Sequence, residues 1–533
     1  MSIPLMYRDE IAETITVIRT QRIHHPGSDN ISYNCHLSKN LWNQIHRIIY
    51  PYYKQYGYVP SYEELDKILN DKNYSGYKID NGNGKKIYNP DFDNYHKLGA
   101  AIAQQIERIY FKTWKSYLKM IKDYRENPDK DYTGMPREPG FKKKDGELLL
   151  IFTDKQIKFR ETKKGNVWMY FPKNKGIGLK GKDGKPLKIL LGNINDIDSY
   201  LVNRIIWNKF DIVRIVPKGT GYWIEIVYDQ EVLKDATKIH KLDQNIIINI
   251  DTGVENLIAL TDNIGSQPII IKSEIWKAEN QWYNKRISEL NSVYDRQILG
   301  CLLKKDKDGK YIKDNIRYLT NKTEGNDKKL QIVTENRNNL ALDSEHKVSR
   351  FIIERALDIK AGMVAFNKNP GWKQKVNIGK RNNQNFVQIP FAKIIEKTQY
   401  KGEEVGIKVL DHREDHTSKC SFLGSESIKH HDVYMGKRIH RGLFKCSKGI
   451  DISEYVGCKK ERILNTINAD VQGAYNGLRK VDPRFNVYDI MEGVVEHGLV
   501  PERLSVSDLM TKSYHDLGVS HRLTVGDINC INS

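Results

Sequence analysis

Ile246-Ile247-Ile248-Asn249-Ile250-Asp251-Thr252-Gly253-Val254-Glu255-Asn256-Leu257-Ile258-Ala259-Leu260 constrains this chain more than any other stretch. Its first half reads as a buried strand that ends on an acid. A glycine-containing turn follows, then a second short apolar strand. A lone carboxylate at the end of an apolar run is costly unless it gains a partner. The position therefore predicts Asp251 as a metal ligand at the edge of a sheet. The competing reading is an ordinary turn aspartate after a strand.

The 533 residues exceed one compact core and predict two to four domains. A formal charge of +19 calls for a polyanionic partner. Thirty tyrosines interleaved with Lys and Arg favour nucleic acid, because rings stack on bases while cations meet phosphates. No apolar run is long enough for a membrane helix, and the first ten residues lack the pattern of a signal peptide. The six cysteines are irregularly spaced and form no disulfide framework. An intracellular, reducing location is expected.

Residues 11–25 alternate as a strand. Residues 30–135 are expected to be helical, with Ser61 and Glu64 spaced as a capping box and a long helix from about Tyr95 to Asp123. Pro128, Gly134, Pro136, Pro139 and Gly140 mark a hinge, and Lys142, Lys143 and Lys144 follow it. Residues 136–244 read as short strands of a β-barrel, completed by the first strand, with the helical module inserted into it. Residues 101–200 hold 22 Lys and Arg against 13 Asp and Glu, about half of the net charge. That places a phosphate backbone on the barrel face and hinge; the alternative is a solvated lysine surface.

Beyond residue 245 the order is strand, strand, polar helical insertion (about 274–342), helix (344–360), strand (363–366), strand (405–410) and a last amphipathic helix (about 468–481). This suits an RNase H-like α/β fold interrupted by insertions. Hydrolysis of a phosphodiester there calls for two divalent metals about 4 Å apart and carboxylates from separate elements, and oxygen ligands suit Mg²⁺. Asp251 is the first candidate. Asp470 is the second, on a helix whose Gly473 and Ala474 permit close packing on a sheet; the alternative is an acid placed for the helix dipole. The strand at 363–366 leads to Asn367 rather than an acid. Glu414, after the next strand, is therefore the third candidate, with Asp415 as rival.

Asp251-Thr252-Gly253 with Asn256-Leu257, Gly371-Trp372-Lys373-Gln374, Thr417 to Leu423, Lys437-Arg438 through Lys445, and Asn468-Ala469-Asp470-Val471 with Gly473-Ala474-Tyr475-Asn476 together resemble the RuvC-like nuclease half of TnpB proteins. The compact type V CRISPR effectors resemble these in turn. The likeness is specific over about 246–481 and architectural before it. It implies a multidomain α+β protein: a wedge β-barrel (1–29 and 136–244) with an inserted recognition module (30–135), and a RuvC-like nuclease (245–415 and 466–482). A target-binding insertion (416–465) and an unassigned tail (483–533) complete it. It implies a guide RNA, transposon-derived or CRISPR and possibly paired with a second RNA, and a duplex DNA target beside a short flanking motif. Two Mg²⁺ ions would be held by Asp251, Glu414 and Asp470. Lys142–Lys144, Trp372, Lys373, Lys419 and Arg441 are the expected nucleic-acid contacts.

Two departures stand out. Most relatives place the second acid where this chain has Asn367; a subgroup carries it just before Thr-Ser-Lys, where Glu414 lies. Many relatives bind zinc through two Cys-x-x-Cys pairs, but Cys420, Cys446 and Cys458 stand singly here, so a zinc-free insertion is expected. The expected activity is guide-directed DNA cleavage. The alternatives are a nuclease-inactive RNA-guided repressor and, more remotely, an RNA-binding or transposition accessory factor.

Overall fold

The computed structural model describes residues 14–80, 82–83, 85–127, 134–172, 178–180, 183–195, 210–233, 241–253, 255–300, 324–368, 389–440, 442–455 and 463–511. It divides into two compact units, Ile15–Val232 and the chain from Leu233 onward.

In the first unit, β1 (Thr14–His25) precedes α1 (Asp29–Tyr56) and α2 (Tyr62–Asn70), and a short hairpin, β2 (Lys78–Asp80) with β3 (Lys86–Tyr88), follows. Next come α3 (Asn94–Leu98) and α4 (Ala100–Glu126). Ser61 and Glu64 form the reciprocal capping box at α2. The single long helix expected from Tyr95 is broken at Gly99, whose φ of 79° lies in the left-handed region that only glycine adopts freely. Six strands complete the unit: β4 (Leu150–Thr153), β5 (Lys158–Glu161), β6 (Asn166–Tyr170), β7 (Lys188–Asn193), β8 (Phe210–Lys218) and β9 (Gly221–Leu233).

β1 lies beside β9, so the first strand does join the sheet across the inserted helices. The expected barrel does not form among the described residues. There are two open sheets, ordered β1-β9-β8-β4 and β5-β6-β7. The reason lies in the core, where side chains of α1 and α4 such as Trp42, Ile45, Ile106 and Tyr110 share one apolar cluster with Phe152, Met169, Ile215 and Ile226. Helices fill the face that barrel closure would have buried against strands.

The second unit is built on a six-stranded sheet. Its strands are β10 (Asp243–Thr252), β11 (Asn256–Asp262), β12 (Ile269–Lys272), β13 (Ala361–Asn367), β14 (Lys408–His412) and β18 (Glu502–Ser505), in the order β14-β13-β10-β11-β12-β18. β10, β13 and β14 are mutually parallel, and β11 is antiparallel to both β10 and β12. The helices are α5 (Glu274–Gly300), α6 (Glu324–Asp358), α7 (Phe391–Val405), α8 (Ala469–Val481), α9 (Met491–His497) and α10 (Val506–Thr511).

Ile248 and Ile250 pack on one side with Phe351 and Ile352 of α6 and Ile394 and Ile395 of α7. Ile247 packs on the other side with Val471, Ala474, Tyr475 and Leu478 of α8. A strand covered on both faces reads as a continuous apolar run, which explains why residues 246–250 show no alternation. A three-stranded sheet, β15 (Gly436–His440), β16 (Leu443–Asp451) and β17 (Ile463–Asn468), leads directly into α8.

Three readings change here. The separate helix expected at 344–360 is the C-terminal part of α6, continuous with the expected insertion, and its Val348, Phe351, Ile352 and Ala356 are core. Val405 ends α7 instead of opening a strand; Gly406 caps that helix at φ 77°, and β14 starts at Lys408. Finally, part of the unassigned tail is a strand of the main sheet, since β18 runs parallel to β12.

Candidate active site at the ends of the parallel strands

Asp251, Asn367 and His412 stand at the C-terminal ends of three adjacent parallel strands, β10, β13 and β14. Parallel sheets bind ligands at that edge. Side chains two residues apart in a strand share a face, so Asn249 lies below Asp251 on the side covered by α8. Asn249 and Asn367 are both fully buried and form a chain of hydrogen bonds. Asn367 Nδ2 donates to Asp251 Oδ1 at 2.9 Å. Asn249 Nδ2 donates to Asn367 Oδ1 at 3.1 Å and to the Ala474 carbonyl at 2.7 Å. His412 Nε2 lies 2.9 Å from Asn249 Oδ1.

Asn367 therefore has a definite role where an acid was expected. It fixes the orientation of Asp251 without adding a charge to a buried position.

Asp470 sits in the first turn of α8, where Asn468 caps the helix by accepting from the Asp470 and Val471 amides. Its Oδ2 accepts from Asn256 Nδ2 at 2.5 Å, and its Oδ1 accepts from Arg438 Nη2 of β15 at 2.7 Å. The helix reaches the sheet because Gly473 and Gly477 face it. A methyl group at Gly473 would lie 2.8 Å from Asp251 Oδ2, and one at Gly477 would lie 2.1 Å from Asn367 Oδ1.

Glu414 is half-buried in the turn after β14, where its carbonyl accepts from the Thr417 amide and hydroxyl. Burial raises its pKa, and neighbouring Asp415 adds to the rise while Lys480 opposes it. Asp415, the rival candidate, is exposed and pairs with Arg413 at 3.3 Å.

The electrostatics join the three acids. Asp251 is pushed up to about 7, chiefly by burial. The Asn367 hydrogen bond and Arg438 act against the rise, while the negative charges of Glu414 and Asp470 reinforce it. A carboxylate destabilised by two other carboxylates is what a divalent cation relieves, and the all-oxygen donor set fits a hard ion. Among the described residues, however, no three acidic, histidine or cysteine side chains already meet as a metal cage. Arg438 instead supplies the positive charge at Asp470.

The predicted nucleic-acid contacts fare unevenly. Lys142, Lys143 and Lys144 are exposed, on a segment tied to α1 by reciprocal Asn43–Lys142 hydrogen bonds and by Lys39 to the Lys144 carbonyl. The Lys142 ammonium is also committed internally, 4.5 Å from the Trp42 ring centroid. Lys419 is exposed. Trp372, Lys373, Arg441 and Cys458 lie outside the described residues. Cys420 and Cys446 are buried, Cys420 within reach of the Lys429 carbonyl and Cys446 of the Gly449 amide.

Sequence reasoning missed Asn249 and His412. Asn249 carried a signal: it is the one polar residue inside the isoleucine run, two positions before the acid. His412 carried none, because only the parallel pairing of β13 and β14 brings it beside Asn367.

No family model and no curated protein matches this chain. Several solved structures are similar to it. One is the Cas12f1–sgRNA–target DNA complex, 12% identical over 87% of this chain and 98% of that one, with a TM-score of 0.43. The mini-RNA-guided endonuclease CRISPR-Cas_phi3 is 11% identical over 90% and 94% of the two chains, with a TM-score of 0.38. CasPhi-2 (Cas12j) bound to crRNA is 8% identical over 87% and 98%, with a TM-score of 0.36.

Proposed function

We propose that this chain is an RNA-guided, Mg²⁺-dependent DNA endonuclease of the compact type V kind, with one RuvC-like site on its six-stranded sheet. The observation that carries this reading is Asp251 at the C-terminal edge of the parallel strands, held by Asn367 and within electrostatic reach of Glu414 in the turn after β14 and of Asp470 on α8. The strand order supports it. Three consecutive strands, the second antiparallel, are flanked by two further parallel strands on the β10 side, as in RNase H-like folds.

Asp251, Glu414 and Asp470 would hold the metal. The metal would supply activation of water and neutralisation of charge at the phosphorus. The chain's own residues prepare the site. Asn367 and Asn249 lock Asp251 from below, Asn256 orients Asp470, and α8 walls off the sheet face through its glycines. For Asp470 to turn to a cation, Arg438 has to release it; nucleic acid entering beside the β15–β17 insertion offers that guanidinium a phosphate instead. Guide pairing would supply sequence specificity, while the protein reads duplex shape and a flanking motif.

A second reading, an RNA-guided DNA binder without nuclease activity, is favoured by Asn367 and by the Arg438–Asp470 pair. One experiment decides. The protein is purified with its RNA, the RNA is sequenced, and the complex is given matched duplex DNA and Mg²⁺. Cleavage that is lost in Asp251→Ala establishes the nuclease. Tight binding with no cut selects the second reading, and absence of any copurifying RNA removes both.

A further inference from the structure

The amide chain beneath Asp251 has a direction, and the main chain of α8 sets it. Asn367 Nδ2 donates to the Gly473 carbonyl at 3.3 Å, and Asn249 Nδ2 donates to the Ala474 carbonyl at 2.7 Å. A carbonyl only accepts, so each side-chain NH₂ group must face the helix. The second proton of each group goes onward, from Asn367 to Asp251 Oδ1 and from Asn249 to Asn367 Oδ1. Turning Asn249 over would set its oxygen against those of Ala474 and Asn367. Its Oδ1 is therefore directed the other way, where His412 Nε2 lies at 2.9 Å.

Asn249 is fully buried, so that oxygen needs a donor. The network thus assigns the proton of His412 to Nε2. Its Nδ1 faces the Arg413 carbonyl at 3.3 Å. Both ring nitrogens face oxygens of the protein, which suits an anchor rather than a metal ligand or a base. The backbone of His412 is held as well. It pairs with Asn367 at the last register position of β13 and β14, and its carbonyl accepts from the Lys368 amide at 2.8 Å. Glu414 follows two residues later. One residue therefore closes the chain that orients Asp251 and opens the turn that carries Glu414.

We infer that His412 is a positioning residue of the cleavage site: its Nε2–H anchors the Asn249–Asn367 chain and so fixes Asp251 relative to Glu414 for binding a divalent cation. The inference deepens the nuclease reading and rests on it. Removing a partner that orients a metal ligand typically weakens metal binding about 10–100-fold. Two amides stand between His412 and Asp251, so the lower end of that range is expected. Loss of the donor leaves Asn249 Oδ1 unsatisfied at the one open end of the chain, and the asparagines can then rotate away from the setting that holds Asp251.

The test is titration of the full chain with Mn²⁺, followed by the electron paramagnetic resonance signal of the free ion, well below the melting transition of every variant. Asp251→Ala marks the binding that does not belong to the site. His412→Leu should weaken Mn²⁺ binding about tenfold, whereas His412→Gln, whose side-chain amide can still donate to Asn249 Oδ1, should weaken it less than about threefold. The Mg²⁺ concentration that gives half-maximal single-turnover cleavage by the RNA-loaded chain should shift in the same order. A purely structural histidine would lower the melting temperature and leave both readouts of metal affinity unmoved. His412→Leu with wild-type metal affinity overturns the inference, as does His412→Gln impaired as much as His412→Leu; in either case a wild-type complex that cuts DNA leaves the nuclease reading standing. If the wild type and Asp251→Ala bind Mn²⁺ alike and the wild-type complex makes no cut, the nuclease reading fails and this role of His412 falls with it.

Discussion

Asp251 is worth most attention among the single side chains, because its proton and a metal compete for the same oxygens. Its pKa is raised to about 7 by burial and by two nearby acids, so a large fraction is protonated near neutrality in the metal-free chain. Cation binding requires the carboxylate, and a proton must leave. Mg²⁺ should therefore bind more tightly as pH rises through 7, with proton release on binding. The increase in melting temperature produced by Mg²⁺ should be larger at pH 8 than at pH 6, and calorimetry in buffers of different ionisation enthalpy should detect the released proton. A Mg²⁺ response that is flat across this range would contradict the assignment.

Asn367 gives a second test. Asn367→Ala removes the hydrogen bond that orients Asp251 and leaves the Asn249 side chain with fewer partners. An unsatisfied buried amide costs about 1–3 kcal/mol. Stability should fall by that order, and cleavage by roughly tenfold or more as Asp251 loses its fixed geometry. The readouts are chemical denaturation and single-turnover cleavage.

Helix α8 shows how much of the site was legible before folding and how much was not. Its cap at Asn468 came from the structure; its extent, about 468–481, and the close packing permitted by Gly473 and Ala474 could be read from the sequence. Gly477 could not, because its close approach is to Asn367 and Asn249, residues more than a hundred positions away. Gly477→Ala should gain about 1 kcal/mol of helix propensity and lose more through overpacking, typically 1–3 kcal/mol. It should also displace Asn367 and so weaken cleavage beyond its effect on melting.

The first unit's barrel was misread for a similar reason. Strand periodicity in residues 147–228 reports one buried face but does not say whether helices or strands bury it. Helix α4 carries its own prediction. Glu107 is fully buried, neither carboxyl oxygen has a hydrogen-bond partner, and burial with Asp66 nearby raises its pKa to about 8. The folded chain thus holds a proton that the unfolded chain gives up above the usual carboxylate range. Stability should fall as pH rises from about 5 to about 8, by a few kcal/mol in all. Glu107→Gln should flatten that dependence in melting curves.

Over the molecule as a whole, the candidate catalytic strands are far easier to locate in the sequence than the boundary of the sheet. The recognisable pattern ends with the helix at 481, yet the sheet continues through β18, whose Leu504 pairs in register with Ile271 of β12. The Glu502 amide donates to the Pro268 carbonyl at 2.8 Å, extending the ladder. Four residues of mixed character give no strand signal of their own; it is the long-range partner that makes them a strand. Leu504, Val506 and Leu509 then enter the same apolar cluster as Ile250, Phe366 and Phe351.

Truncation after Val500 would expose the β12 edge and remove these three side chains. At about 1.5–3 kcal/mol for each buried aliphatic side chain, the loss is roughly 5–9 kcal/mol, an upper estimate that still rivals the stability of a typical domain. Truncation after Thr511 keeps β18 and α10 and is the matched comparison. In hydrogen exchange, the shorter chain should lose protection first in β12 and β11, then in β10 beneath Asp251. Peptides from α1 and α4, which belong to the other core, should keep theirs. An unpaired run of Ile269, Ile270 and Ile271 is also an invitation to edge-to-edge association, so light scattering should rise on warming for the shorter chain alone. If both truncated chains exchange and melt alike, β18 contributes no stability to the sheet, and the sheet's stability ends at β12.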